Sequence, residues 1–412
     1  MNKFRTVADV DVAWHTVLMR VDLNVPIRDG KVSDATRIAR VAPTIADMVK
    51  RRAKVIVLSH LGRPKGKASP EFSLAPVAPA LAQALGQDVK FVPDCIGPEV
   101  ERVIAAGKPG EVFLLENVRF YPGEEKGDRE FARSLAKLGE IFVSDAFSSS
   151  HRAHASITGL AELLPAYAGQ LMGDEIKALE SALVSPQRPT AALIGGAKIS
   201  SKIAVLENLV AKMDRIIIGG GMANTFLVAK GVEVGKSLIE KEMVDTAARI
   251  MTKAQEKGCE ILLPSDVVVA ESFAANAPHV VVPVGEVSPE GMILDVGPET
   301  VATLIKSLGS LKTLLWNGPL GAFELEPFGD GTFAVARAAA DLVSSGKLTA
   351  VAGGGDTVAA LNAAGVTDRF TYVSTAGGAF LEWLEGRELP GVVALLENQA
   401  SARKDGQLEE VR

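Results

Sequence analysis

The chain has few cysteines and no long apolar stretch, and these two absences exclude several classes of protein. Its 412 residues include 2 cysteines, Cys95 and Cys259, which lie far apart and outside any Cys-X-X-Cys spacing. Neither a disulfide framework nor a zinc site is therefore expected. No run approaches the roughly 18 apolar residues that span a bilayer, and residues 1–15 lack the apolar segment of a secretory signal. We expect a cytoplasmic protein with no membrane partner.

A basic excess is also missing. The net charge is −6 and the pI is about 5.6, whereas nucleic-acid and membrane-surface binders usually carry surplus lysine and arginine. The hydrophobic content of 47% and charged content of 23% are typical of a soluble globular protein. A chain of this length is expected to form two or three domains.

Adjacent glycines are absent from the first part of the chain. They occur only at Gly195-Gly196, Gly219-Gly220-Gly221, Gly353-Gly354-Gly355 and Gly377-Gly378, each after an apolar run. A backbone without Cβ atoms can approach a phosphate or a base closely. The earlier part instead carries cationic side chains near its apolar runs: Arg20, Arg37, His60, Arg63, Arg119 and Arg152. We therefore expect a small-anion site in the N-terminal half and a nucleotide site in the C-terminal half.

Short Val/Ile/Leu-rich runs alternate with segments of helical periodicity. Helices are predicted over 34–51 and 75–85, and the run EILLPSDVVVA, residues 260–270, is treated as one apolar strand segment. Such alternation predicts parallel sheets covered on both faces. The predicted fold is two doubly wound, Rossmann-like α/β domains joined by a helix, with a cleft between them.

The domain boundary is predicted at GDEIKALESALVSPQRP, residues 173–189, a helix ended by two prolines. The predicted divisions are an anion-binding domain over 1–172, an interdomain helix and hinge over 173–189, a nucleotide-binding domain over 190–390, and a C-terminal segment over 391–412 that packs back on the first domain.

Ligands of open α/β sheets bind at the carboxyl ends of the strands, so residues that follow the apolar runs are site candidates. Gly354 and Gly355 precede a predicted helix N-terminus, where Thr357 supplies a hydroxyl and Asp356 a carboxylate for hydrated Mg²⁺. Lys198 and Lys202 are predicted to share one face in the first turns of a helix. The remaining nucleotide candidates are Gly219, Gly220, Asn317 and Glu324.

Three other motifs suggest different ligands. Residues 231–237 resemble a Walker loop, but only three residues separate the glycines and the preceding segment is helical. Residues 329–334 fit a loose dinucleotide pattern without a preceding strand, which weakens a nucleotide-dependent oxidoreductase hypothesis. His151 and His154 have metal-ligand spacing without an evident third ligand. A nucleotide-binding protein without catalysis is the remaining alternative.

Nine motifs, in order, resemble the phosphoglycerate kinase family over essentially the whole chain. They are RVDLNVP, DATR, SHLGRP, LLENVRFYPGEE, SDAF with HRAHAS, GGAKI, GGGMANTF, WNGPLGAFE and GGGDTV. The resemblance implies reversible phosphoryl transfer between 1,3-bisphosphoglycerate and ADP, giving 3-phosphoglycerate and MgATP, by a monomer. One departure is Ser148-Ser149-Ser150, where the family usually has Gly-Thr-Ala. Serine in place of that glycine is expected to stiffen the turn before Arg152.

The resemblance also implies roles for particular residues. The 3-phosphoglycerate ligands would be Asp22, Asn24, Arg37, His60, Arg63, Arg119 and Arg152. The nucleotide would contact Lys202, Glu324 and the turn at 354–357, with Arg37 and Lys198 near the transferring group. The cationic character of these residues suits the reaction. A carboxylate nucleophile with a pKa near 4 is already ionised at pH 7, so the site needs cations rather than a base.

Overall fold

The computed structural model describes residues 4–404, which form two compact α/β units. Unit 1 combines the chain up to Glu175 with the chain from Glu388 onward, and unit 2 comprises Ile176–Arg387. Each unit contains a six-stranded parallel sheet, which confirms the prediction of two doubly wound domains. Across residues 4–404, no helix combines the length and apolar character needed to cross a membrane.

The six-stranded sheet of unit 1 has the strand order β5-β6-β4-β1-β7-β8, and a separate hairpin pairs β2 with β3. The strands are β1 (Thr16–Val21), β2 (Ile27–Arg28), β3 (Lys31–Val32), β4 (Lys54–Leu58), β5 (Val89–Val92), β6 (Val112–Leu115), β7 (Ile141–Asp145) and β8 (Ala166–Ala168). Strands β1, β4, β6 and β7 are buried at nearly every residue, as expected for a parallel sheet covered on both faces.

The helices of unit 1 include both predicted ones. The helices are α1 (Thr36–Lys50), α2 (Ala78–Leu85), α3 (Pro98–Ala105), α4 (Pro122–Glu125), α5 (Arg129–Ala136) and α6 (Leu160–Leu163). The segment predicted over 75–85 begins as a 3₁₀ turn at Ala75–Val77 and continues as α2. A further 3₁₀ turn, Phe147–Ser149, and a π turn, Ala155–Gly159, follow β7.

The helix predicted from residue 173 starts earlier. Helix α7 (Gln170–Leu179) is followed by a π turn at Glu180–Val184, and the change from unit 1 to unit 2 falls inside α7. The side chain of Asp145 explains the earlier start, because its carboxylate accepts a hydrogen bond of 2.8 Å from the Met172 N–H in the first turn.

Unit 2 has a six-stranded parallel sheet of order β11-β10-β9-β15-β16-β17. The strands of the unit are β9 (Thr190–Ile194), β10 (Arg215–Ile218), β11 (Glu260–Leu262), β12 (Asp266–Ala270), β13 (His279–Pro283), β14 (Met292–Val296), β15 (Thr313–Asn317), β16 (Thr349–Gly353) and β17 (Tyr372–Ser374). Its helices are α8 (Ile203–Leu209), α9 (Gly221–Ala229), α10 (Val244–Lys257), α11 (Pro298–Leu308), α12 (Asp330–Ser344), α13 (Gly355–Ala363) and α14 (Gly378–Leu384).

The treatment of residues 260–270 as one strand segment is wrong. Pro264 and Ser265 divide the run, so β11 is an edge strand of the main sheet while β12 belongs to a separate antiparallel sheet of order β13-β12-β14. Buried Asp266 fixes the start of β12, because its carboxylate accepts bonds from the N–H groups of Glu299 and Thr300.

The chain returns to unit 1 at its end. Helix α15 (Pro390–Lys404) contacts α6 and β8, and Asn398 donates to the carbonyls of Ala161 and Leu164. Of the C-terminal segment predicted over 391–412, residues 405–412 lie outside the described residues.

Candidate functional site

In unit 1 the predicted anion ligands gather where neighbouring strands end. Strands β6, β4, β1 and β7 are adjacent and parallel, so their carboxyl ends open onto the same edge of the sheet. We call the polar residues that follow them, with Arg37 of α1, the anion site: Asp22, Asn24, Arg37, His60, Arg63, Arg119 and Arg152.

Asp22 is the acidic centre of the anion site. Its Oδ2 accepts a bond of 2.6 Å from Arg37 and another from the Ser148 hydroxyl. Burial raises the pKa of Asp22, but the charge of Arg37 and the hydrogen bonds from Ser148 and the Asn24 N–H help to leave it below its usual value. The carboxylate thus orients Arg37, which is 36% exposed at its side chain and free to contact an anion.

The turn that carries Ser148 does not require a glycine. The residue lies in the 3₁₀ turn Phe147–Ser149, a right-handed conformation that any L-residue adopts. Its hydroxyl instead adds the bond to Asp22 that joins the end of β7 to the end of β1.

His60 is held as a neutral imidazole. Its Nδ1 lies 3.0 Å from Nη2 of Arg20, and because a guanidinium can only donate, Nδ1 accepts and Nε2 carries the proton. Burial, and then the charge of Arg20, lower the pKa of His60 well below its usual value. Arg20 is itself fully buried and donates to the Ser156 hydroxyl at 2.8 Å. His60 therefore offers an uncharged N–H donor at neutral pH.

Arg119 and Asn24 fix the loop after β4 from both sides. Arg119 donates to the Gly62 carbonyl at 2.8 Å, and the Gly62 N–H donates to Asn24 at 2.9 Å. Gly62 has φ +59°, and a Cβ there would lie 2.4 Å from the Phe72 ring, so the loop requires glycine. Burial, and then the charge of Arg20, lower the pKa of Arg119 to about 10, which leaves it charged at pH 7.

The other two arginines differ in how they are held. Arg152 contacts His151 at 3.1 Å and lies near enough to Arg119 for its charge to lower the pKa of that residue. Arg63 is exposed, and within residues 4–404 no polar contact joins it to the rest of the anion site.

The side chain of His154 is buried, and its Nδ1 lies 3.7 Å from Oε1 of Glu124. Its pKa falls to about 3, chiefly through burial.

In unit 2 a cavity of about 350 Å³ lies at the carboxyl ends of β9, β15 and β16. Its lining, which we call the lysine pocket, includes Gly195, Gly196, Lys198, Lys202, Asn317, Gly354, Gly355, Asp356 and Thr357. A Cβ on Gly195 would lie 1.9 Å from the Pro319 carbonyl oxygen, so this close approach of two strand ends requires glycine. The first N–H groups of α13 lie at this pocket and favour an anion.

A chain of hydrogen bonds holds Lys202 in the lysine pocket. Its ammonium donates to Oδ1 of buried Asn317, whose Nδ2 donates to the Gly353 carbonyl at 2.7 Å. Burial lowers the pKa of Lys202, while the charges of Asp356 and Glu385 oppose the shift. Asn317 therefore positions the lysine.

The prediction that Lys198 and Lys202 lie on one helix face is wrong. Helix α8 begins only at Ile203, and Lys202 is its N-cap. Lys198 lies in the irregular segment between β9 and α8. Both lysines nevertheless line the lysine pocket. Thr357 is buried, and its hydroxyl oxygen accepts the Gly318 N–H at 2.7 Å, so it also braces the turn.

A second cavity of about 510 Å³ adjoins the lysine pocket, and Gly196, Ala197 and Asp356 line both. We call it the apolar pocket. Gly220 and Glu324 line it with Leu320 and other apolar residues. Gly219 does not line either cavity; a Cβ there would lie 2.5 Å from the Leu320 side chain, so this glycine serves packing. An apolar cavity beside a cationic one fits a base and its phosphates.

The donor set of the lysine pocket also fits a hydrated divalent cation. Asp356 is an exposed carboxylate in the first turn of α13, beside the pocket floor. Mg²⁺ binds proteins through one or two carboxylates while retaining water and phosphate oxygens.

Sequence reasoning missed the buried support of the anion site. Glu124 is fully buried in α4 and accepts both the N–H and the hydroxyl of Ser156, at 2.9 and 2.6 Å. Ser156 in turn accepts from Arg20. A glutamate in the polar stretch PGEE gave no sign of burial.

Comparisons with known proteins all point to one family. A family model described as phosphoglycerate kinase matches residues 7–387. The phosphoglycerate kinase of Methylobacterium radiotolerans is 59% identical over 396 residues, which cover 96% of this chain and 99% of that protein. That of Rhodospirillum centenum is 58% identical over 392 residues, covering 95% and 99% respectively.

Two solved structures are similar over almost their full length. Phosphoglycerate kinase from Coxiella burnetii gives a TM-score of 0.90 at 44% identity, covering 96% of this chain and 99% of that one. The enzyme from Pyrococcus horikoshii gives 0.81 at 32% identity, covering 97% and 100%.

Proposed function

The chain belongs to the phosphoglycerate kinase family, and from that premise we propose how its residues share the work of the reaction. It is a phosphotransferase of glycolysis that moves a phosphoryl group reversibly between 1,3-bisphosphoglycerate and ADP. The observation that carries the assignment of roles is the separation of a cation-rich anion site in unit 1 from the lysine and apolar pockets in unit 2.

The anion site is assigned to 3-phosphoglycerate. Buried Arg119 and half-buried Arg152 would neutralise the phosphate, and the neutral Nε2–H of His60 would donate to it. Asp22 and Asn24 would accept from the substrate hydroxyl and keep Arg37 and the loop after β4 in place. Arg63 would join them from the exposed end of that loop.

The lysine and apolar pockets are assigned to the nucleotide. The base would occupy the apolar pocket near Gly220, with Glu324 available to the ribose hydroxyls. The phosphates would lie against Lys202 and the N-terminus of α13 at residues 354–357. Mg²⁺ would be held by Asp356 and would screen charge on the phosphate oxygens.

Chemistry at this site needs positive charge and no general base. The carboxylate of 3-phosphoglycerate is ionised at neutral pH, so it attacks the γ-phosphorus directly, and ADP leaves as the bond to the β-phosphate oxygen breaks. Arg37, Lys198 and Lys202 would stabilise the charge on the equatorial oxygens as they transfer. Reactants bound to separate units must approach within about 3–3.5 Å, so we also propose that α7 and residues 180–189 act as a hinge.

We further propose that the enzyme works as a monomer in the cytoplasm. A glycolytic role supports that location.

A coupled assay with 3-phosphoglycerate, MgATP and a reporter of the acyl phosphate tests these roles. We expect Lys202→Ala to lower single-turnover phosphoryl transfer on the order of 10²-fold, with 3-phosphoglycerate affinity almost unchanged, because the contact strengthens in the transition state. Lys306→Ala, an exposed lysine of α11, is the matched control. Normal transfer by Lys202→Ala would refute the assignment of Lys202.

A further inference from the structure

The turn that carries Lys198 and Lys202 is fastened by a residue 40 positions away. We propose that Glu240 is a positioning residue for phosphoryl transfer, which clamps residues 198–202 and thereby holds both lysines at the lysine pocket. This inference rests on the proposed function of those lysines.

The clamp consists of two hydrogen bonds from Ser200 to the carboxylate of Glu240. The Ser200 N–H donates to Oε2 of Glu240 at 2.9 Å, and the Ser200 hydroxyl donates to Oε1. Burial raises the pKa of Glu240, but these bonds, the nearby Ile199 N–H and the charge of Lys198 outweigh that effect and leave it below its usual value. Ser200, which lies between the two lysines, therefore donates to the carboxylate through both its N–H and its hydroxyl.

Glu240 is itself anchored to a rigid element. Its backbone N–H donates to the hydroxyl of Thr225 at 3.1 Å, and Thr225 is 1% exposed in α9. The connection thus runs from a buried helix, through Glu240, to the exposed turn.

Besides the bonds to Glu240, residues 198–202 are held by the buried side chain of Ile199 and by the bond from Lys202 to Asn317, so the exposed Ser200 is fixed mainly by Glu240. Residues 198–202 precede α8, and their internal bonds are those of a single turn: the Ser201 hydroxyl to the Lys198 carbonyl and the Lys202 N–H to the Ile199 carbonyl, both 2.8 Å. Displacement of a catalytic group by about 1 Å can lower a rate on the order of 10²-fold.

Charge alone would give Glu240 the opposite effect. A carboxylate near Lys198 and an anionic substrate repels that substrate, so removing its charge should improve nucleotide binding. If Glu240 instead acts by holding the turn, truncating its side chain to alanine should lower kcat. Gln can retain the clamp without the charge, because its amide oxygen accepts the Ser200 N–H and its NH₂ donates to the hydroxyl oxygen.

Steady-state kinetics of Glu240→Ala and Glu240→Gln separate the two roles. We expect kcat of Glu240→Ala to fall about 10-fold, with KM for 3-phosphoglycerate within about 2-fold of wild type. Glu240→Gln should recover kcat to within about 3-fold of wild type. Glu242→Ala is the control, since Glu242 is exposed on the adjoining 3₁₀ turn Lys241–Met243.

Wild-type kcat in Glu240→Ala, or equal effects of the Ala and Gln variants, would overturn the proposal. Should Glu240→Ala fail to fold, Ser200→Ala tests it alone, with kcat expected about 3-fold lower and an unchanged kcat counting against the clamp. If Lys202→Ala is impaired while Glu240→Ala is not, only the positioning role fails. If Lys202→Ala is fully active, the proposed roles of the lysines fail instead.

Discussion

Replacing Arg119 should weaken 3-phosphoglycerate binding far more than replacing Arg63, although both are proposed ligands of the same substrate. Arg119 has a side chain 7% exposed, and its Nη1 is already bonded to the Gly62 carbonyl. Arg63 is exposed and makes no polar contact with any residue in the range 4–404. The Arg119 side chain is therefore held in place before the substrate arrives, whereas the Arg63 side chain would lose its conformational freedom on binding.

The effect of each substitution on the affinity for 3-phosphoglycerate can be estimated. A hydrogen bond to a charged group contributes about 1.5–3 kcal/mol, and immobilising an arginine side chain costs about 2 kcal/mol of rotamer entropy. Arg119→Ala should therefore raise Kd for 3-phosphoglycerate roughly 10- to 150-fold, while Arg63→Ala should raise it about 5-fold or less. Neither substitution should change nucleotide affinity, because the lysine and apolar pockets belong to unit 2.

Calorimetric titration of each variant with 3-phosphoglycerate and, separately, with MgATP measures these constants. Arg129→Ala, an exposed arginine of α5, is the control. Thermal unfolding of Arg119→Ala should accompany the titration, since the substitution leaves the Gly62 carbonyl without its donor. An equal loss of 3-phosphoglycerate affinity in Arg119→Ala and Arg63→Ala would show that the ordering of Arg119 before binding does not matter. A parallel loss of MgATP affinity would refute the assignment of the two ligands to separate sites.

Two further predictions concern pH and motion. Burial raises the pKa of Asp295 to about 7 in the folded chain, so the folded state binds the extra proton between pH 4 and 7 and the free energy of unfolding falls as pH rises through this window. The free energy of unfolding of wild type minus that of Asp295→Asn, measured in urea, should therefore fall by up to about 1.4 kcal/mol per pH unit as pH rises, and a constant value would contradict the shift. Small-angle scattering should show a smaller radius of gyration only when 3-phosphoglycerate and a non-reactive ATP analogue are both present, because each ligand alone contacts mainly its own unit. The same radius in all four states would exclude closure by the proposed hinge.

The positions of the site residues followed from the sequence because parallel sheets have a simple geometry. Asp22, His60 and Arg119 each follow a buried apolar run, and adjacent parallel strands bring such positions to one edge. A glycine pair identified the other site for a related reason, since a side chain at Gly195 would collide with the loop that follows β15.

The features of the site that the sequence did not predict depend on contacts between residues far apart in the chain, which local sequence patterns do not reveal. Lys198 and Lys202 have helical spacing in the sequence but do not share a helix, because α8 begins only at Ile203 and Ser200 between them is bonded to Glu240 instead. Glu124 and Glu240 act on partners 32 and 40 residues away, and each stands in a polar segment typical of a solvated surface. Their roles become evident only when long-range hydrogen bonds are known.

The return of α15 to unit 1 has a consequence for synthesis on the ribosome. The helix closes over α6 and β8, where Asn398 joins the carbonyls of Ala161 and Leu164, yet it follows the whole of unit 2 in the chain. Unit 2 is contiguous and can fold as soon as Arg387 has left the exit tunnel. Unit 1 begins first and is completed last, so the nascent chain must keep the surface of α6 and β8 uncovered while about 210 residues of another unit are made.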